Sequence, residues 1–164
     1  MKFSDKAKQL LKKAGWYEGR YISLEDLKLP YKDYPHNIIV FLQEYGNLEG
    51  DCESQNYTSV INRFFLVPET DFELLEGDTY IPYYSSIIGK KLFPIGAIDS
   101  GNGYDICCDF DGRVYKIGEY CFYVGGDLYE GIENILLMNT LKSLQLDEDT
   151  GKWWNMDGEY VKLP

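Results

Sequence analysis

The sequence predicts an α+β fold: a largely antiparallel central sheet flanked by helices, in a single domain spanning 1–164. Three observations carry this reading. Apolar residues recur at helical spacing near both ends of the chain. β-rich runs joined by short turns fill the stretch between. No strand–helix–strand alternation of the kind that builds parallel sheets occurs. The length of 164 residues suits one domain that buries about 68–70% of its unfolded surface, so no covalent staple is needed.

Phe3, Ala7, Leu10, Leu11 and Ala14 fall on one face of a helix over 3–14, with Ser4 or Asp5 as its cap. Lys12 and Lys13 suit the negative end of its dipole, and Gly15 stands where a left-handed residue closes a helix. Trp16 follows as a bulky plug folding back toward Leu11, and Gly19-Arg20 turns the chain into its next segment. These glycines come after a helix; a phosphate cradle needs them before one. A second, mostly apolar helix is predicted from about Pro35 to Tyr45, stopped by Gly46, and 47–56 reads as a polar acidic loop.

Residues 58–67 read as a strand pair or one bent strand, 69–78 as an acidic turn or short helix, and 80–89 as a helix. Strands follow over 91–98, 104–110, 113–117 and 120–124, with Asp111-Gly112 as a hairpin turn. A long helix is predicted from Gly126 or Asp127 to about Leu144, striped by Leu128, Ile132, Ile135, Leu136 and Leu141. A hairpin-like tail closes the chain. Residues from about 146 read as a C-terminal extension packed on the domain, with Trp153 and Trp154 either covering the sheet or extending an interface.

Charge restricts the function classes. The net charge is −11, but residues 1–20 carry +4 and the other 144 carry −15. So negative a body repels nucleic-acid phosphates and attracts basic partners. Four cysteines without a C-x-x-C pair read as reduced structural thiols, and Cys107 and Cys108, adjacent on a strand, point to opposite faces. No signal-type or 18-residue apolar run occurs, which predicts a cytoplasmic chain without a membrane partner.

Chemistry finds little support. His36 is the only histidine and has no local nucleophile or acid beside it, so it reads as a helix-start residue rather than a base. Zinc motifs are absent. Asp109-Phe110-Asp111-Gly112 resembles a calcium-loop fragment but lacks the ligands that complete one, and a hairpin uses the same residues. Gly101-Asn102-Gly103 is a turn rather than a dinucleotide fingerprint. Among 27 acids some pair will always mimic an acid–base dyad, so none is singled out. No catalytic residue, metal or cofactor is predicted.

What stays is a binding surface: acidic segments with aromatic neighbours, comprising Glu49, Asp51 and Glu53, and Asp71, Phe72, Glu73, Glu76 and Asp78. Charge steers the encounter and aromatic anchors supply affinity.

"FSDKAKQLLKKAGWYEGR" resembles the opening of the third subfamily of SUKH immunity proteins, through Phe3, Ser4, Ala7, Leu10, Leu11, Ala14, Gly15, Trp16, Gly19 and Arg20. "IIGKKLFPIGAI" is similar to a later family segment through Gly89, Leu92, Pro94, Ile95 and Gly96, and "DFDGRVY" through Asp109, Gly112, Val114 and Tyr115. The resemblance spans about 3–141 and implies a SUKH-like α+β fold without enzymatic activity. It further implies a cytoplasmic antitoxin that blocks a protein toxin, often a nuclease or deaminase, encoded next door. The expected partner is basic, and the expected state is a monomer or weak dimer. A scaffold or regulatory module of the same fold is the alternative from another class, and a carboxylate-based hydrolase a third.

Overall fold

A computed structural model of the chain describes residues 2–54, 62–68, 80–99 and 103–164. It is an α+β structure on one nine-stranded antiparallel sheet that does not close, with strand order following chain order. The strands are β1 (Glu49–Asp51), β2 (Arg63–Phe65), β3 (Phe93–Asp99), β4 (Gly103–Cys108), β5 (Val114–Ile117), β6 (Cys121–Gly125), β7 (Leu144–Leu146), β8 (Trp153–Trp154) and β9 (Tyr160–Val161). The helices among the described residues are α1 (Asp5–Lys13), α2 (Leu24–Leu27), α3 (His36–Tyr45), α4 (Tyr80–Ile88) and α5 (Leu128–Leu136).

The sheet separates two cores. On one face, α1, α2, α3 and α5 press Leu11, Leu27, Phe41 and Ile132 onto Phe64, Ile106, Cys108 and Val114. On the other, α4 contributes Ile81 and Tyr84 to a smaller core with Cys107, Tyr115, Cys121, Tyr123 and Trp153. Alternation along β4 therefore sends Cys107 and Cys108 into opposite cores, as the strand period requires. All four thiols are free and buried.

α1 begins and ends as its residues dictate. The Ser4 hydroxyl accepts from the Ala7 amide at 3.3 Å. At the other end the Trp16 amide donates to Leu11 O and the Gly15 amide to Lys12 O, a Schellman closure with Gly15 at φ +109°. The Trp16 indole stacks on Tyr45, centroids 6.0 Å apart. Arg20 does more than turn the chain: its guanidinium donates to Glu44 O at 2.7 Å and Gly46 O at 2.8 Å, satisfying carbonyls at the end of α3.

Three sequence expectations need correction. The predicted acidic loop 47–56 contains β1, which pairs with β2 in the register Glu49–Phe65 to Asp51–Arg63. The last helix stops at Leu136, not near Leu144. Met138 takes a left-handed conformation, φ +53°, and the Asn139 amide donates to Asn134 O, closing the helix without a glycine. The chain then returns as β7 beside β6, and Leu141 is 76% exposed instead of extending the apolar stripe. Finally, the β4–β5 turn is wider than Asp111-Gly112, because Asp109 takes part in it: its carboxylate accepts from the Asp111 and Arg113 amides.

The tail from 146 joins the sheet as β8 and β9. Trp153 is buried against Tyr115 and Tyr123, and Trp154 stacks on Tyr160 at 3.8 Å. Gly96 is required where β2 and β3 meet, since a Cβ there would strike the Phe65 carbonyl. Next to it the β3–β4 register shifts between Pro94 and Gly96, and the Pro94 carbonyl accepts from the buried Tyr34 hydroxyl at 2.5 Å.

Candidate functional site

Strand register assembles the candidate surface. Residues opposite one another on neighbouring strands share a face of the sheet. Glu49 lies opposite Phe65, Phe65 opposite Ala97, and Ala97 opposite Asp105. One step along, Asp51 lies opposite Arg63 and Arg63 opposite Asp99. The intervening Phe64 and Ile98 point the other way into the larger core. One face at the β1 edge thus bears Glu49, Asp51, Asp99 and Asp105 around Arg63 and Phe65.

Four carboxylates share that face with one guanidinium, and two of them touch it. Arg63 reaches Asp51 at 3.3 Å and Glu49 at 3.8 Å, and lies 5.8 Å from the Phe65 ring centroid. Such exposed pairs contribute about 0–1 kcal/mol to the fold and leave the patch strongly negative. Asp105 sits further in. Burial pushes its carboxyl up to about 6, and it makes no hydrogen bond or ion pair among the described residues. Phe65 supplies a half-buried aromatic surface in the middle.

Of the residues predicted from sequence, Glu49 and Asp51 are brought together on this face. Glu53 is exposed but lies past the end of β1, where its amide donates to Leu136 O. Asp71, Phe72, Glu73, Glu76 and Asp78 lie outside the described residues. Asp99 and Asp105 were missed by sequence reasoning. Asp105 leaves one trace, an acid inside the β run "YDICC".

The motif residues sit at helix ends and turns. Gly15, Trp16 and Arg20 close α1 and α3 as described, Gly19 is left-handed at φ +82°, and Gly112 lies in the β4–β5 loop at φ +88°. The Asp109 of that loop is fully buried, accepts the Tyr115 hydroxyl at 2.8 Å and has Lys90 at 3.8 Å. His36 is exposed at the first turn of α3. Among the described residues no three His, Cys, Asp or Glu side chains converge as a metal site requires. No described helix is long and apolar enough to cross a membrane. The SUKH-3 immunity protein family matches residues 3–138. No curated protein and no solved structure matches the chain.

Proposed function

Because the chain belongs to the SUKH-3 immunity protein family, we propose that it neutralises a basic protein toxin by laying its acidic sheet face over the toxin's active surface. The observation that carries this reading is the register of β1 to β4, four carboxylates against one arginine beside an aromatic ring. Membership in an immunity family implies a binding role rather than a catalytic one.

A nuclease fits best, because an enzyme that grips phosphates presents lysines and arginines that such a face complements. The acidic segment 69–78, with Asp71, Phe72, Glu73, Glu76 and Asp78, is proposed as a second contact. The encounter takes place in the cytoplasm, and the protein enters it as a monomer or weak dimer.

The test is co-expression and binding kinetics with the product of the adjacent reading frame. Glu49→Lys combined with Asp51→Lys, both exposed, should slow association about tenfold or more and flatten its salt dependence. Unchanged kinetics would move the interface elsewhere. A neighbour that is not toxic, or whose toxicity persists on co-expression, would favour a scaffold or regulatory module instead.

A further inference from the structure

Lys116 is the one lysine that the fold carries inward. It lies on β5, on the same sheet face as the larger core, and is largely buried; burial pulls its ammonium below the usual lysine range. Its Nζ sits 5.2 Å from the Phe122 ring centroid and 5.6 Å from that of Tyr104. Among the described residues it has no hydrogen bond and no ion pair. The nearby Cys52 thiol offers no counter-charge, since burial pushes it up to about 12. Contrast Lys90 and Lys91, both more exposed, which lie 2.7 Å from Asp111 and 2.6 Å from Asp33. Although the chain has 27 acids, none among the described residues forms an ion pair with Lys116.

Two recesses open on this side chain, one of about 200 Å³ toward α5 and one of about 300 Å³ toward β8. They share Lys116, Phe122, Thr140 and Ser143. Among the described residues no aspartate or glutamate lines either one. The hydroxyls of Thr140 and Ser143 and the carboxamide of Gln145 make no side-chain hydrogen bond among the described residues. Around them stand Phe122, Trp154 and Met156.

We propose that this recess binds a carboxylate carried on an aromatic or aliphatic body, with the Lys116 ammonium as its counterion. Two aromatic rings compensate a partly buried ammonium only in part, and an anion entering the recess offsets the remaining desolvation while gaining a charge-assisted hydrogen bond. Thr140, Ser143 and Gln145 supply the neutral donors, and the rings take the apolar body. A phosphate dianion fits poorly, because among the described residues one cation and no arginine line the two recesses. The ligand is either a free organic acid or the C-terminus of a protein ending in an apolar residue. The site lies on the sheet face opposite Asp105 and does not depend on the toxin reading.

The test titrates 3-phenylpropionate into isotopically labelled protein and follows the Lys116, Phe122 and Ser143 resonances. Saturation in the millimolar range or tighter is expected, with affinity about tenfold lower for 3-phenylpropanol and for Lys116→Met. Ser143→Ala, a mild surface-of-cavity change, should weaken binding about threefold and serves if Lys116→Met does not fold. A tripeptide ending in phenylalanine, compared with its amide, identifies the source: tighter binding than the free acid indicates a protein C-terminus, weaker binding a small molecule. No saturation at about 10 mM, equal affinity in Lys116→Met, or tighter binding of phenyl phosphate would each overturn the proposal. The Glu49→Lys, Asp51→Lys protein should bind the probe like wild type, so failure of the toxin interface leaves this test intact.

Discussion

Two carboxylates bracketing the end of β4 show how differently the same group is used. Asp109 is fully buried but answered by two amides, a tyrosine hydroxyl and a lysine. Asp109→Ala would strand the Tyr115 hydroxyl and should lower unfolding free energy by about 3 kcal/mol in urea titrations. Asp105, four residues earlier, has no such partners among the described residues, and its carboxyl is raised from an ordinary 3.8 to about 6. A raised acid favours its protonated form in the folded state. The sign follows: this stability is fully present below pH ~4 and is lost as pH rises through about 6. Asp105→Asn should therefore stabilise the protein by about 2 kcal/mol at pH 7 and by little at pH 3.5, measured as a pH series of urea midpoints. Retaining Asp105 at that cost suits the proposed contact with a basic partner.

Among the elements, the corner after α1 seals the helix with a half-buried indole whose Nε1 is buried and has no hydrogen-bond partner among the described residues. Trp16→Ala should cost about 3 kcal/mol, but Trp16→Phe less than about 1.5, because losing the unanswered N–H offsets part of the lost contact area. Calorimetry on the two variants distinguishes a packing plug from a polar anchor. This corner was legible because Gly15 marks its stop in plain residue type. The end of α5 was not, since Met138 takes the left-handed position that glycine usually announces. β1 escaped notice for another reason: three residues of Glu-Gly-Asp have no apolar alternation to read, and only pairing with β2 makes them a strand. Arg20 looked like a turn residue because its partners, carbonyls of α3, are over twenty positions away. The tail, beyond the stretch shared with the family, has a structural duty. Trp153→Ala should destabilise by about 3–4 kcal/mol by opening the smaller core beside Tyr115 and Tyr123.

Across the whole molecule, charge is divided. The groove beside α1, about 730 Å³, gathers Lys2, Lys8 and Lys12 with Glu18 and Glu44 around Trp16, Tyr45 and Tyr129, a small positive excess, while four carboxylates share the face at the β1 edge. With +4 on residues 1–20 and −15 on the rest, a basic partner is turned as well as attracted. Association with such a partner should slow about tenfold between low and high salt, and Lys8→Gln with Lys12→Gln should leave it equal or faster by stopped flow. The paired thiols of β4 offer something else. Cys107 and Cys108 are neighbours in the chain, yet each is shielded by a different set of side chains, and burial raises the pKa of both well above the ordinary thiol range. An alkylating reagent reaches either sulfur only when its own side of the molecule opens. Labelling resolved by residue thus runs two clocks, one position apart, that time the loosening of the two halves separately.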